Sequence, residues 1–155
     1  MDWCCIMPGG GGKTTLSLKY PTLFLDIDEF MWGLHREKLL LYVHTNNITS
    51  ISNLYEYEMR NNAELRGDHR VILTHHPDNA DWLNRHIIDI YRPTRGLHER
   101  NIRDRPPICK TFARNDWHNL TPYKFIQYPN FRKLERDILR KTKEVFTKVV
   151  EEVKE

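Results

Sequence analysis

The chain has 155 residues, of which 39% are hydrophobic and 29% are charged. This length suits one compact domain with a single core, so we expect residues 1–155 to form one domain. The composition excludes a wholly disordered, collagenous or coiled-coil chain. No unbroken apolar run, that from Leu39 to Val43 included, is longer than five residues, whereas a membrane-spanning helix needs roughly 20. Since no basic-then-apolar leader opens the sequence, we expect a cytoplasmic protein without a membrane partner.

The formal net charge of +3 is too small to indicate a nucleic-acid partner by itself, but the charge is unevenly distributed. The segment 92–114, called here the basic segment, holds seven basic residues and two acidic ones, so the rest of the chain is net acidic. Three cysteines do not make a disulfide framework, and the adjacent Cys4 and Cys5 lack the spacing of a zinc knuckle. Reduced thiols agree with a cytoplasmic location.

Apolar runs alternate with helical patterns along the chain. Strands are predicted over 2–7, 22–26, 70–74, 87–91 and 124–128. Helices are predicted over 13–20, 29–44, about 50–66, 79–86 and about 130–153, and the basic segment is predicted to form two helices broken at Pro106 and Pro107. Strands that are apolar rather than alternating indicate a parallel sheet covered on both faces. The sequence therefore predicts an α/β fold, a three-layer α/β/α sandwich with a five-stranded parallel sheet.

Polar and glycine-rich motifs follow the predicted strands. Ligands of parallel sheets bind at the carboxyl ends of the strands. In this sequence that edge receives the glycines after the first strand, two aspartates after the second, two histidines after the third and the arginines after the fourth. These residues are therefore the candidates for a functional site.

Residues 7–15 read Met-Pro-Gly-Gly-Gly-Gly-Lys-Thr-Thr, between a predicted strand and a predicted helix. Gly12, Lys13 and Thr14 fit the end of the phosphate-loop pattern, while Met7 stands where that pattern has its first glycine. Glycines let the backbone wrap an anion with its N–H groups, a lysine supplies charge for the β- and γ-phosphates, and a threonine hydroxyl suits Mg²⁺. We expect the nucleotide to bind at Gly9, Gly10, Gly11, Gly12, Lys13, Thr14 and Thr15. The alternative interpretation is a flexible glycine linker.

Asp26 and Asp28 stand at alternate positions past the end of the second strand, so both side chains are expected on one side. One carboxylate suits the hydration shell of Mg²⁺, and the other suits an acceptor hydroxyl that must be oriented or deprotonated. The alternative is purely structural, with Asp28 as the cap of the following helix and Asp26 as a solvated strand end.

The run Gly-Lys-Thr-Thr, followed by a short helix, an apolar strand and Asp-x-Asp, resembles shikimate kinase and its relatives among the nucleoside-monophosphate-kinase-like proteins. The resemblance covers nearly the whole chain, and it implies an ATP-dependent kinase with a lid. By this likeness Asp26 would lie near Mg²⁺, and Asp28 would contact the acceptor hydroxyl. Pro129 resembles the loop that borders the adenine.

The arginines of the basic segment would repel one another without anions, and a lid that closes on a triphosphate supplies those anions. The stretch from Arg103 to Ile108 resembles the lid that covers the ATP phosphates in shikimate kinases. Arg100 and Arg103 have the spacing of one helix face. Guanidinium groups suit phosphoryl oxygens, so Arg100, Arg103 and Arg105 are the candidates that stabilise the transferring group. A solvated basic face and a patch that tracks nucleic-acid phosphates are the alternatives.

The third strand is followed by Thr-His-His-Pro at 74–77, where shikimate kinases carry a Gly-Gly-Gly turn, so shikimate is not expected as the acceptor. Adjacent side chains point apart on a strand, which makes joint metal ligation by His75 and His76 awkward. The candidate roles of these two histidines are a structural role, contact with the acceptor and metal binding. Trp32, Tyr55 and Tyr57 either wall the acceptor pocket or belong to the core.

Taken together, these motifs favour an Mg²⁺- and ATP-dependent kinase that transfers the γ-phosphoryl group to a hydroxyl or phosphate of a nucleoside, nucleotide or small metabolite. In this interpretation Lys13, Asp28 and the three arginines are catalytic, and Thr14 and Asp26 hold the metal. Because the run Pro-Gly-Gly-Gly-Gly-Lys at 8–13 also resembles the loop of polynucleotide 5′-kinases, a nucleic-acid end is the alternative acceptor. A nucleotide-binding NTPase or scaffold without acceptor transfer is the third hypothesis.

Overall fold

The computed structural model describes residues 2–154, with side chains up to residue 148. The strands in this part of the chain are β1 (Trp3–Ile6), β2 (Phe24–Asp26), β3 (Val71–Thr74), β4 (His86–Pro93) and β5 (Ile126–Tyr128). The helices are α1 (Lys13–Lys19), α2 (Ile27–Leu34), α3 (Arg36–His44), α4 (Ile48–Asn61), α5 (Ala63–Arg66), α6 (Asp78–Leu83), α7 (Arg95–Ile102), α8 (Pro107–Asn119) and α9 (Phe131–Lys154). None of these described helices combines the length and the apolar composition that a membrane crossing needs.

The described strands form a five-stranded, all-parallel sheet in the order β2-β3-β1-β4-β5, with β1 at its centre. Ile6 of β1 stands opposite Thr74 of β3, and Asp26 of β2 stands opposite Leu73. These pairings bring the carboxyl ends of three strands to one edge of the sheet. The prediction of a five-stranded parallel sheet is confirmed.

Alternate residues of β1 belong to different hydrophobic cores, because successive strand side chains point to opposite faces. Cys4 and Ile6 pack on one face with buried side chains of α2 to α6. Cys5 packs on the other face with Leu16 of α1 and Leu134 of α9. Helices thus cover both faces of the sheet, an arrangement compatible with a three-layer α/β/α sandwich.

Two helices predicted as continuous are divided in the structure. The predicted helix 29–44 is α2 and α3, which are separated at His35, where φ is −127° and ψ is 35°. The predicted helix 50–66 is α4 and α5, because the Asn62 side chain caps α5 by accepting the Leu65 N–H at 2.9 Å. The Asn62 cap starts a new helix without interrupting the apolar pattern, so the pattern alone predicted a continuous helix there. At His35 the backbone angles divide the helix without a side-chain cap.

The basic segment contains two helices broken at the proline pair, as predicted, with Pro107 in the first turn of α8. β4 is longer than predicted and reaches Pro93, because its last residues pair with β5. Thr94 caps α7 by accepting the Leu97 N–H at 3.4 Å. α7 therefore begins at the carboxyl edge of the sheet, where β1 also ends.

Candidate functional site at the carboxyl edge of the sheet

The glycine loop, residues 9–12, connects β1 with α1. Gly10 and Gly12 have φ angles of +80° and +108°, a conformation that residues with a side chain rarely adopt. A Cβ on Gly10 would also overlap Cγ2 of Ile102 in α7. Met7 stands where the phosphate-loop pattern has a glycine, but its side chain is fully buried in the core below the sheet edge. Met7 therefore packs in the core, and the turn is formed by the glycines that follow it.

The backbone of the glycine loop has a marked polarity. Its four carbonyl oxygens all accept hydrogen bonds from within the protein, from His98 at Gly9, Asn101 at Gly10, Tyr128 at Gly11 and the Leu16 N–H at Gly12. By contrast, the N–H groups of Gly10, Gly12 and Lys13 have no acceptor among residues 2–154. Backbone N–H groups without a partner carry partial positive charge, so this loop suits an anion.

Lys13 lies beneath the loop, and only 4% of the residue is exposed. Its Nζ donates to the carbonyl oxygens of Pro8 at 3.1 Å and Met7 at 3.4 Å. The same Nζ is 3.7 Å from Oδ2 of Asp28. The Lys13 ammonium group thus lies between the carbonyl oxygens of Met7 and Pro8 and the Asp28 carboxylate, and its positive charge interacts favourably with both.

Asp26 ends β2 with its carboxylate fully buried. Its Oδ2 accepts the Thr14 hydroxyl at 2.9 Å, and its Oδ1 accepts the Asp28 N–H at 3.0 Å, which caps α2. Burial, together with the nearby charge of Asp28, raises the pKa of Asp26. The structural alternative for the two aspartates is therefore wrong in its assignments, since Asp26 is the buried cap and Asp28 lies within the first turn of the helix.

Asp28 is the acceptor of a small polar network. Its Oδ1 accepts the Tyr55 hydroxyl at 2.8 Å, and its Oδ2 lies 3.0 Å from Nε2 of His75. Burial favours the neutral carboxyl, but the charges of His75 and Lys13 and the two hydrogen bonds outweigh it and lower the pKa of Asp28. The carboxylate likewise outweighs the burial of the imidazole and raises the pKa of His75. Asp28 is therefore ionised at neutral pH, and a third of its side chain stays accessible.

A cavity of about 450 Å³ opens above the glycine loop. The candidate residues that line it are Gly10, Gly11, Gly12, Lys13, Thr14, Thr15, Asp28 and Arg105. Leu97, Asn101, Tyr128 and Phe131 complete the lining. The glycine loop, the lysine and the accessible carboxylate thus line one space, whereas Gly9 and Asp26 are not among the lining residues.

The structure separates the three arginines that the sequence groups together. Arg105 lines the cavity, and its guanidinium also lies close to the Cα of Gly9. Arg100 is exposed on α7 with its guanidinium beside Gly96, and Arg103 is exposed after the last turn of α7. Neither residue lines the cavity. The helical spacing of Arg100 and Arg103 therefore gives them no common direction toward the loop.

Pro129, predicted to border an adenine, is exposed between β5 and α9 and does not line the cavity. Its neighbours Tyr128 and Phe131 do. The loop after β5 therefore reaches the cavity, but through aromatic side chains.

Four polar residues near the loop have no counterpart in the sequence prediction. Three of them, His98, Asn101 and Tyr128, bond to loop carbonyls. The fourth, Asp116 of α8, has Oδ2 3.5 Å from the Gly9 N–H, and burial raises its pKa despite the charges of His75 and Lys13. The spacing of His98 and Asn101 on one helix face is the only sequence signal among the four, and it does not show what the face contacts.

The remaining candidates, Tyr55 excepted, make no contact with the site. His76 has other partners than His75: it accepts the Asp78 N–H at 3.1 Å and packs edge-on against Tyr123. Trp32 packs against the core, and Tyr57 is 62% exposed, so of the three aromatic candidates only Tyr55 reaches the site. Within residues 2–154 no three His, Cys, Asp or Glu side chains are grouped so that they would hold a metal ion by themselves.

Comparisons of the chain with protein-family models, with curated proteins and with solved structures each find no match.

Proposed function

We propose that this chain is an Mg²⁺-dependent, ATP-binding kinase of the phosphate-loop type, which transfers the γ-phosphoryl group to a hydroxyl or phosphate of a small acceptor. The polarity of the glycine loop is the observation behind the proposal, because its carbonyl oxygens accept hydrogen bonds within the protein, while the N–H groups of Gly10, Gly12 and Lys13 have no acceptor among residues 2–154 and are left for an anion. Lys13 and Asp28, 3.7 Å apart, add a cation for the phosphates and a carboxylate for the acceptor.

The dimensions and lining of the cavity support a nucleotide as the ligand. A volume of about 450 Å³ lies within the usual range for small-molecule sites, roughly 300–1,000 Å³. The polyphosphate would lie along the loop, with Arg105 over its outer oxygens. Leu97, Tyr128 and Phe131 supply an apolar and aromatic wall on which the base and ribose would pack.

The residues beside the loop fit Mg²⁺. This ion takes oxygen ligands and keeps several waters, so it is usually bound by one or two protein oxygens together with substrate phosphates. The Thr14 hydroxyl lines the cavity and would be the direct protein ligand of the ion. The buried Asp26 carboxylate accepts that hydroxyl at 2.9 Å and would help to hold the ion through Thr14. When bound, Mg²⁺ neutralises charge on the phosphates and fixes their orientation.

Asp28 would orient the acceptor. Its low pKa keeps it an acceptor of hydrogen bonds at neutral pH, and Tyr55 and His75 fix its direction. An acceptor hydroxyl that donates to the accessible edge of this carboxylate would be aligned with the phosphoryl group held by Lys13. Asp28 acts in this proposal chiefly by position, because a strongly acidic carboxyl is a weak proton acceptor.

A second candidate function, transfer to the 5′ end of a polynucleotide, is favoured by one observation. Arg100 and Arg103 are exposed outside the cavity, and neither has a carboxylate partner in the described part of the chain. Such side chains suit the phosphates of a strand that extends away from the site. In this version the cavity binds ATP as before and only the acceptor differs.

The test begins with calorimetry of ATP in the presence of Mg²⁺, followed by transfer of labelled γ-phosphate to a panel of nucleosides, nucleoside monophosphates, small polyols and a 5′-hydroxyl oligonucleotide. We expect micromolar binding and transfer to one class of acceptor. Lys13→Met should lower kcat/KM by about a hundredfold or more. Lys19→Met on the same helix, where the lysine pairs with Glu135 instead, is the matched control and should leave transfer unchanged.

Three results discriminate among the candidates. Transfer to the oligonucleotide, with binding that weakens steeply as salt rises, would select the polynucleotide acceptor. Binding with hydrolysis but no transfer would select a nucleotide-binding NTPase or scaffold. Absence of any heat with Mg²⁺ and ATP, from protein with intact circular dichroism, would reject the proposal.

A further inference from the structure

Three consecutive carbonyl oxygens of the glycine loop are held by side chains from outside it. Nε2 of His98 donates to Gly9 O at 2.8 Å, and Nδ2 of Asn101 donates to Gly10 O at 2.9 Å. The Tyr128 hydroxyl donates to Gly11 O. Nothing in the loop pattern requires these contacts, since the donors stand 89 to 117 residues away along the chain.

The first two donors are presented by one face of α7. His98 and Asn101 are one helical turn apart, and Ile102 beside them packs against the Cα of Gly10. The His98 ring is 2% exposed and lies nearly parallel to Trp117, with ring centroids 6.3 Å apart and an interplanar angle of 26°. Trp117 is in turn fixed by its Nε1, which donates to Pro93 O at 2.9 Å. The imidazole is thus a buried, braced donor.

Holding a carbonyl oxygen also sets the direction of the next N–H group. In a trans peptide the C=O of one residue and the N–H of the next point in opposite directions, and no described peptide bond here is cis. With Gly9 O turned toward His98, the Gly10 N–H must point away from α7. With Gly11 O turned toward Tyr128, the Gly12 N–H must point away from β5. These two are among the N–H groups without an internal acceptor.

Asn101 holds the peptide between Gly10 and Gly11, which lies between the two peptides held by His98 and Tyr128. Gly10 O is turned toward α7, so the Gly11 N–H points the other way, where it donates to Pro8 O at 2.9 Å. This contact closes the turn that separates the two free N–H groups. The three side chains therefore control three successive peptide planes.

We propose that His98, Asn101 and Tyr128 are positioning residues, which fix the loop amides toward the cavity before an anion binds. The anion being a nucleotide polyphosphate rests on the proposed function. The physical gain is preorganisation: glycine backbone has the most freedom to lose, so a loop already ordered in the free protein spends less binding energy on ordering. None of the three needs to touch the phosphates.

The experiment compares variants that remove one donor with variants that keep it. His98→Met removes the donor at similar size, whereas His98→Gln places an amide N–H near the position of Nε2. Tyr128→Phe removes only the hydroxyl. Each variant is examined by calorimetry with Mg²⁺ and ATP, and by ¹H–¹⁵N spectra of the Gly10 and Gly12 amides in the ligand-free protein.

Matched controls remove the same kind of bond elsewhere. Asn61→Leu deletes an amide that donates to Tyr57 O at 2.9 Å on α4, and it is paired with Asn101→Leu. Tyr91→Phe deletes a hydroxyl that donates to Asp137 at 2.7 Å, and it is paired with Tyr128→Phe. These controls measure what a lost hydrogen bond does to stability without touching the loop.

We expect about a 3- to 10-fold loss of ATP affinity for each donor removed, recovery in His98→Gln, and no change in affinity for the controls. The Gly10 amide signal should shift or broaden in His98→Met, and that of Gly12 in Tyr128→Phe. Unchanged amide signals in both variants would overturn the inference, as would equal affinity losses in His98→Met and His98→Gln. Because the amide spectra need no ligand, they judge the positioning role even if ATP does not bind and the proposed function fails.

Discussion

The glycine loop and the basic segment meet at the same edge of the sheet, yet their polar groups are satisfied in opposite ways. Every carbonyl oxygen of the loop accepts a hydrogen bond from the protein, and its conformation is braced by α7 and β5. In the basic segment Arg100 and Arg103 are exposed, with no carboxylate partner among the described residues. The difference agrees with the proposal that the loop is ordered before an anion binds, whereas these two arginines have no carboxylate partner among the described residues.

The same comparison limits how a lid would move. α7 belongs to the basic segment, but His98 and Asn101 bind it to the loop, so a movement of the whole helix would break both contacts. We therefore expect closure to involve the turn 103–106, which carries Arg105, rather than α7. Mobility and charge would be concentrated at the one arginine that already lines the cavity.

A substitution in the glycine loop should have the largest effect. Gly10→Ala should lower the free energy of unfolding by about 2–4 kcal/mol, because φ is +80° and the new methyl group overlaps Ile102. Nucleotide binding should be lost with it. Denaturant unfolding and calorimetry measure the two effects.

Gly33→Ala is the control for that substitution. A Cβ at Gly33 meets nothing within 4 Å, and the residue lies inside α2, so alanine should raise stability by about 0.5–1 kcal/mol. If Gly10→Ala were as well tolerated as Gly33→Ala, the description of the loop as a fixed, glycine-dependent turn would be wrong.

The sheet and the loop could be predicted because their signals are local. Short, mostly apolar segments with breaks between them define the strands, and parallel order then places strand ends at one edge. The contact between Thr14 and Asp26 follows from that placement, since one residue follows β1 and the other ends β2. The sequence did not predict that Asp26, and not Asp28, caps α2. The identity of the cap depends on the exact residue at which the strand ends.

The rest of the site depends on tertiary contacts that no local pattern records. His98 reaches Gly9 across 89 residues, and Tyr128 reaches Gly11 across 117. The direction of an arginine is equally non-local: α7 ends at Ile102, so Arg103 leaves the helix and Arg105 turns back toward Gly9. The sequence predicts where charge is concentrated, but the helix end decides which guanidinium reaches the loop.

The basic segment provides the next largest effect. Arg105→Ala should weaken ATP binding or transfer by about 10- to 100-fold, the effect expected for a charged hydrogen bond to phosphate in the cavity. Arg100→Ala and Arg103→Ala should change it by less than about fivefold, since exposed charges outside the cavity contribute little. Steady-state kinetics of the three variants provides the measurement. Equal losses in all three would support the sequence prediction that the three arginines share one role.

The smallest expected effect concerns the ion pair beside the loop. The raised pKa of His75 means that its contribution to stability is complete below the ordinary value of 6.5 and is lost as pH rises through the folded value. The lowered pKa of Asp28 means that its contribution is present above 3.8 and is lost as pH falls through the folded value. The pair should therefore stabilise the fold most between these two ordinary values.

His75→Gln tests this window. At pH 5.5 the variant should be less stable than the wild type by about 1 kcal/mol, a modest loss because a third of the Asp28 side chain is exposed, and the difference should shrink above neutral pH. Denaturant unfolding at several pH values measures it, and the opposing titration of His98, whose pKa burial lowers, cancels in the difference. In an Asp28→Asn background, burial and the charge of Lys13 should lower the pKa of His75, so the loss of stability caused by His75→Gln should no longer grow as pH falls below 6.5. A loss that still grew toward low pH there would show that another carboxylate, with Asp116 as the nearest candidate, raises the pKa of His75.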